Sequence, residues 1–506
     1  MRVAVRVDAS SQIGTGHFMR CLTLADALNQ RGARIRFVSR HMPDHLRDML
    51  NTKGYEFALL KGISNEVSDD NYYACWLGVS QNQDAAETWQ ALSDQTWDWL
   101  VVDHYALNAN WETVLRNVAK RIFVIDDIAD RQHDCDMLLD QNLYADMNTR
   151  YKGKVPPHCR LMLGPRFALL REEFRSAREQ VKPRTGLVKR VLIFFGGVDA
   201  DNNTERAMEA MVNIANPDVQ VDVVIGGQHP YRIQIGTECL KQGFVCHVQT
   251  ERMAELMVAT DLAIGAGGIS TYERLYLRLP SLLKPISLNQ VEPLNYMEKI
   301  GLFELFSTQK ELENKLKKII EHGIISPPDC VSNGKNKLVE CMITEFTQLC
   351  VPRPLDVRRT YRWLQDKKLR EDFVMAESPR RSEHCKYWRK LYNDSEQRVY
   401  SILHFGKHVG NCGLKNINSQ NCTSEIWIYL GDLSARGRGV AKYAISKLLS
   451  IARNDLFGVS VCLHVAKSNY SAIHLYKNNG FYEIQSPLTG RWSGRDSEIL
   501  RMECIL

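Results

Sequence analysis

Three times in the middle of the chain an apolar run ends on a glycine pair. Lys189–Gly197 reads Lys-Arg-Val-Leu-Ile-Phe-Phe-Gly-Gly, Gln220–Gly227 reads Gln-Val-Asp-Val-Val-Ile-Gly-Gly, and Asp261–Gly268 reads Asp-Leu-Ala-Ile-Gly-Ala-Gly-Gly. Runs that are apolar throughout suit strands buried on both faces, as in parallel sheets covered by helices. Glycines at their ends let the backbone turn sharply and approach a ligand where such sheets bind one. Pro280–Leu283 adds a further strand after a helix. The chain opens in the same way. Val3–Val7 reads as a buried strand, Gly14 and Gly16 turn the chain, and Phe18–Gln30 reads as a helix carrying Leu22, Leu24, Ala25 and Leu28. Arg34–Ser39, Trp99–Asp103, Arg121–Asp126 and Asp140–Leu143 continue the series. Two consecutive doubly wound, Rossmann-like α/β domains are therefore expected, over 1–155 and 156–348, with a cleft between them.

After Val351-Pro352-Arg353-Pro354, which reads as a short stiff linker, the texture changes. Arg398–Phe405 and Lys407–Leu414 form a hairpin pattern around Gly406. Glu425–Leu430 is a strand, Val440–Ala452 a helix, Val459–Val465 a strand and Ser471–Asn478 a short helix. This predicts an α+β domain over 355–506.

Composition excludes several classes. Net charge is +6 over 506 residues, and no basic tail or RNA-binding aromatic pattern is present, so no nucleic-acid partner is expected. No apolar run approaches the roughly 20 residues that span a bilayer. The start of the chain lacks a signal-peptide pattern, so a cytoplasmic location is expected. The 14 cysteines include no C-x-x-C pair and read as reduced thiols, with no zinc site.

His17 lies at the first strand-to-helix junction, in Asp8-Ala9-Ser10-Ser11-Gln12-Ile13-Gly14-Thr15-Gly16-His17. The positive end of the helix dipole disfavours an imidazolium, so His17 is a candidate general base. The plainer reading is a helix cap beside a glycine turn. Gly265-Ala266-Gly267-Gly268-Ile269-Ser270-Thr271-Tyr272-Glu273 is a second strand–glycine–helix junction. Its amides could hold a pyrophosphate and Glu273 a ribose, yet Ser270-x-x-Glu273 is also a capping-box pattern. Asp103, Asp126 and Asp127 suit separate strand ends better than a metal site.

Together, Asp8–His17 with Arg20, Val102-Asp103-His104-Tyr105, Ile125-Asp126-Asp127, Leu163-Gly164-Pro165, Phe195-Gly196-Gly197 and Gly267-Gly268-x-Ser270-x-x-Glu273 resemble the UDP-sugar hydrolases of pseudaminic acid biosynthesis, relatives of GT-B glycosyltransferases. The resemblance covers about residues 1–300. It implies metal-independent hydrolysis of UDP-2,4-diacetamido-2,4,6-trideoxy-β-L-altropyranose with inversion, His17 being the base on water. It implies Tyr105 near the sugar, and Gly14, Gly16, Arg20, Asp103, Gly196, Gly197, Gly267, Gly268, Ser270 and Glu273 around the UDP-activated amino sugar. Asn289 and Gln290 would contact sugar or phosphates, or simply cap a helix.

In the last segment, Arg436-Gly437-Arg438-Gly439-Val440-Ala441 fits R-x-x-G-x-A. Leu463-His464-Val465, Asn469 and Ala472-x-x-Leu475-Tyr476-x-x-x-Gly480-Phe481 follow in order. This resembles the GNAT acetyltransferases. The resemblance implies acetyl-CoA as co-substrate, with its pyrophosphate on Arg436 to Ala441, and Leu430 and Asn469 on the cofactor. A splayed strand pair would hold the pantetheine arm. Tyr476 would protonate the leaving thiolate, or else be a core aromatic. Asn469 could instead cap a helix, and Glu425 and His464 are both candidate bases. The combined expectation is a bifunctional enzyme, acetylating a UDP-amino sugar and then removing UDP, with flagellin glycosylation as the setting the resemblance implies.

Overall fold

The computed structural model describes residues 1–506 except 11, 63–72, 332–333, 373–374, 376, 392–393, 395, 419 and 486–498; Ser11 of the opening motif thus lies outside the described residues. The chain divides into two compact units, Met1–Val339 and Glu340–Leu506.

Among the described residues, the first unit holds two parallel sheets and a short antiparallel pair of Thr185–Gly186 with Ile324–Ile325. One is built from β1 (Arg2–Val7), β2 (Arg34–Ser39), β3 (Glu56–Leu59), β4 (Trp97–Asp103), β5 (Ala119–Ile125), β6 (Met137–Asp140) and β7 (Arg160–Leu163), in the order 3-2-1-4-5-6-7. Every pairing in it is parallel. The other contains β8 (Arg190–Phe194), β9 (Gln220–Ile225), β10 (Val245–Val248), β11 (Leu262–Ala266), β12 (Ser281–Lys284) and β13 (Glu304–Leu305), in the order 10-9-8-11-12-13. Both reverse direction at their first strand, the switch point at which doubly wound sheets open a crevice. β1 carries Val3, Ala4, Val5 and Val7 fully buried, as its apolar run requires. The glycine pairs are needed for packing too. A Cβ on Gly226 would lie 2.0 Å from the Gly197 carbonyl oxygen, and one on Gly267 would lie 2.0 Å from Leu294 Cδ1.

Two expected boundaries move. The first sheet continues beyond 155, because β7 pairs with β6. The second unit begins before 355, because Thr347–Cys350 pairs antiparallel with Arg398–His404. The expected linker residue Pro354 starts a helix, Pro354–Trp363. The strand read at Asp140–Leu143 ends at Asp140 instead.

The second unit is one seven-stranded sheet: β14 (Thr347–Cys350), β15 (Arg398–His404), β16 (Lys407–Asn418), β17 (Thr423–Leu430), β18 (Ser460–Ala466), β19 (Tyr482–Glu483) and β20 (Ile499–Ile505), ordered 14-15-16-17-18-20-19. Among the described residues, only β17 and β18 run parallel, and their ladder joins Thr423–Glu425 to Ser460–Cys462. Beyond Glu425 the strands part.

Behind β5, His133 Nδ1 lies 2.7 Å from Glu112 Oε1, and its Nε2 is 3.7 Å from Asp126. Burial opposes the imidazolium, but the Asp126 and Glu112 carboxylates outweigh it and lift His133 to about 9. A raised folded pKa stabilises below the unfolded value and stops doing so as pH climbs through the folded one. The contribution, up to about 3 kcal/mol, is therefore complete below pH ~6.5 and lost as pH rises through about 9. Urea denaturation should show wild type losing more stability over this window than His133→Gln. Parallel curves would refute the assignment.

Candidate functional site

α1 (Gly16–Asn29) follows the first glycine turn. Gly14 has φ +78°, a conformation that favours glycine. His17 does not cap this helix, since no side chain bonds the N-terminal amides. Its Nδ1 instead lies 2.5 Å from Asp103 Oδ1, at the end of β4. Arg20, one turn on, grips the same carboxylate with Nε (2.6 Å) and Nη2 (2.7 Å) and reaches Asp127 Oδ2 with Nη1 (2.5 Å). Burial works against charge on Asp103, but Arg20 and His17 overcome it and hold the carboxyl well below its usual range. An ionised carboxylate only accepts, so Nδ1 carries the ring proton. Nε2 is left as the acceptor nitrogen, and it has no hydrogen-bond partner among the described residues. The His17 side chain is 12% exposed.

Tyr105 is buried, its ring edge-on to His17 at 4.7 Å. Its hydroxyl donates to Asp127 Oδ2 (2.8 Å) and accepts from Asn289 Nδ2 (3.1 Å), which belongs to the second sheet's half of the unit. Methyls added at Gly16 and Gly197 would sit 3.3 Å from Ile269 Cδ1 and 3.7 Å from Thr15 Oγ1. The loops at Gly14–Gly16, Gly196–Gly197 and Gly268–Ile269 therefore converge beside His17. Arg20 thus bridges the carboxylates of Asp103 and Asp127. Among the described residues no group of three or more His, Cys, Asp or Glu could hold a metal.

α2 (Ser270–Tyr276) begins without a side-chain cap, so the capping box suggested by Ser270 and Glu273 does not form. Glu273 Oε1 accepts from Arg171 Nε at 2.9 Å instead. In α3 (Leu288–Lys299), Gln290 Oε1 accepts from the Ile286 amide (3.0 Å), a local end-of-helix bond. Asn289 reaches Tyr105 across the crevice. Sequence reasoning missed Trp76 and Tyr73, whose rings pack on Tyr105 at 5.7 and 5.1 Å. Tyr73 precedes and Trp76 lies within a helical turn of four residues, Ala74–Leu77, too short for periodicity to reveal. It also left Asp127 outside the site, because its link to Arg20 spans 107 residues of chain.

In the second unit, Gly437 and Gly439 have φ +71° and +77° and lead into α4 (Val440–Asp455). No side chain caps that helix, and its first turn has no acidic residue. Leu430 ends β17, on the parted side of the strand pair. Glu425, at the fork, accepts from His464 Nδ1 (3.0 Å) and Lys415 Nζ (2.8 Å). Asn469 takes the capping alternative, its Oδ1 accepting from Ala472 N at 3.2 Å in front of α5 (Tyr470–Lys477). Tyr476 packs edge-on to Phe481, and burial pushes its hydroxyl up to about 12.

Residues 359–481 match the model of the acetyltransferase (GNAT) family, so the C-terminal part of the chain has the GNAT fold. An uncharacterized protein of Methanocaldococcus jannaschii is 21% identical over 523 residues, 97% of this chain and 99% of its own length. The UDP-2,4-diacetamido-2,4,6-trideoxy-beta-L-altropyranose hydrolase of Campylobacter jejuni is 28% identical over 204 residues, 40% of this chain and 62% of that protein. The crystal structure of spermidine N-acetyltransferase from Vibrio cholerae in complex with CoA and spermine is 21% identical, covering 32% of this chain and 96% of that one, with a TM-score of 0.29. No helix among the described residues is long and apolar enough to cross a membrane.

Proposed function

We propose that the first unit is a UDP-sugar hydrolase, its two sheets forming a GT-B-like pair, and that the second unit is an acetyl-CoA-dependent N-acetyltransferase acting on the same sugar series. The observation that carries the hydrolase reading is the 2.5 Å contact of His17 Nδ1 with Asp103, which leaves Nε2 as a proton acceptor beside three converging glycine loops. His17 Nε2 takes a proton from water while Nδ1–H stays on Asp103, which stabilises the imidazolium. The water oxygen attacks the anomeric carbon from the face opposite UDP, so configuration inverts. The C1–O bond breaks, and its electron pair leaves on the β-phosphate. Amides at Gly196–Gly197 and Gly267–Ser270 receive that charge. Similarity to the Campylobacter hydrolase supports a UDP-2,4-diacetamido-trideoxy-altrose substrate.

In the second unit the uncharged 4-amine of the sugar attacks the acetyl thioester and gives up a proton to the Glu425–His464 pair. Coenzyme A leaves as thiolate and takes a proton from Tyr476, whose raised pKa keeps that proton in place until then. Fusion of two such steps raises the local concentration of the shared intermediate.

Incubating the protein with the UDP-diacetamido sugar and no acceptor should release UDP and, by NMR, the free inverted sugar. A requirement for an acceptor alcohol would make the first unit a glycosyltransferase, and binding without turnover would make it a regulatory module. For the second unit, Tyr476→Phe should lower acetyl transfer by about 10²-fold while acetyl-CoA affinity changes little. Unchanged turnover would remove Tyr476 as the acid.

A further inference from the structure

Beside the His17 network the first unit contains two polar groups of opposite kind that lack partners. Asp127 follows β5, and its Oδ2 is fully engaged by Arg20 and Tyr105. Its other oxygen, Oδ1, is buried without a hydrogen bond among the described residues. Arg150 lies against the same residue: its Nη2 is 3.4 Å from the Asp127 carbonyl oxygen and 3.0 Å from that of Ile128. Its Nε and Nη1 are buried and likewise unpartnered. Asp140 Oδ2 is 3.6 Å from Nη1, beyond hydrogen-bond reach. Burial and the Asp127 charge push the Asp140 carboxyl above its usual range. The side chains of Asp127 and Arg150 are 8% and 7% exposed.

An unsatisfied buried donor or acceptor carries the full desolvation penalty, so such atoms are expected to have a partner in the working state. Here one acceptor and one donor fork sit on residues in contact. The group that presents one N–H and one C=O together is a secondary amide. Tyr144 fixes the arrangement, with its hydroxyl on the Asp127 carbonyl (2.7 Å) and its ring 3.3 Å beneath the Arg150 guanidinium. Through Oδ2, Asp127 is tied to Tyr105, which touches His17.

We propose that Asp127 and Arg150 form a subsite reading an acetamido substituent of the bound sugar, Oδ1 accepting from the amide N–H and the guanidinium donating to its carbonyl. This rests on the hydrolase reading and adds what selects the substrate. Neither residue moves a proton in the reaction. They place the sugar so that its anomeric carbon meets the water activated by His17.

The test compares UDP release from the UDP-diacetamido sugar with release from two analogues, each having one acetamido group replaced by hydroxyl. Wild type should discriminate against one analogue by about tenfold or more in kcat/KM. Asp127→Asn and Arg150→Met should reduce that ratio to within about threefold, through loss on the diacetamido substrate. A crystal structure of the wild-type protein with a non-hydrolysable UDP-sugar phosphonate avoids dependence on variant folding. It should place an amide nitrogen within about 3.2 Å of Asp127 Oδ1. Unchanged discrimination in both variants, or only water at these atoms in the complex, would overturn the subsite and leave the hydrolase reading standing. Absence of UDP release from every substrate by wild type would overturn both.

Discussion

Replacing His17 with alanine should lower UDP release by about 10²–10⁴-fold while UDP affinity stays near wild type. The acceptor nitrogen is lost, but the loops at Gly196–Gly197 and Gly267–Ser270 are untouched. Asp103→Asn is the sharper companion. The carboxamide retains the shape of the side chain and can present its NH2 to Nδ1. That favours the tautomer with the proton on Nε2, where it cannot accept one from water, so a loss approaching that of His17→Ala is expected. Both are read by UDP release under single-turnover conditions, with UDP binding by calorimetry as the control. Near-normal turnover in His17→Ala would remove the imidazole from the mechanism. Near-normal turnover in Asp103→Asn would leave His17 in place and remove the tautomer argument.

Why His17 was legible in the sequence and Asp127 was not is a matter of chain distance. His17 sits in a glycine-rich junction that one stretch of ten residues spells out, and the apolar runs around it fix the sheet that presents it. The parallel ladders of both sheets follow from the same runs, as does the β15–β16 hairpin around Gly406. Contacts made across the fold left no local pattern. Arg20 stands out in the sequence only through the resemblance, which implies a place around the UDP-sugar, and nothing local shows that it bridges Asp103 and Asp127, from two different strand ends. The Ser270-x-x-Glu273 spacing suggested a cap, but Arg171, 102 residues away in the chain, takes the Glu273 carboxylate. For Asn469 the local pattern decided, and the side chain caps α5. The moved boundaries share one cause. β7 and β14 are four-residue strands at sheet margins, and apolar runs of that length resemble the loops that flank them.

The bridge made by Arg20 also predicts the largest loss of stability. Arg20→Met removes the shared cation from two buried carboxylates, Asp103 and Asp127, and breaking a buried pair in this way costs about 3–5 kcal/mol. Arg20→Lys should recover little, because a single ammonium cannot form the fork on Asp103 and reach Asp127 at once. The pH dependence separates this loss from simple repacking. In wild type the depressed Asp103 pKa contributes stability that is present above the ordinary carboxylate value and is lost only as pH falls through the folded one. Without Arg20, burial is the dominant influence and raises the Asp103 pKa, so the ionised form now destabilises the fold as pH rises. Urea denaturation should therefore find Arg20→Met furthest below wild type at pH 8 and less so at pH 5. UDP release should fall as well, since a protonated or displaced Asp103 no longer fixes the His17 ring. A deficit independent of pH, together with normal UDP release, would show that the guanidinium only fills space.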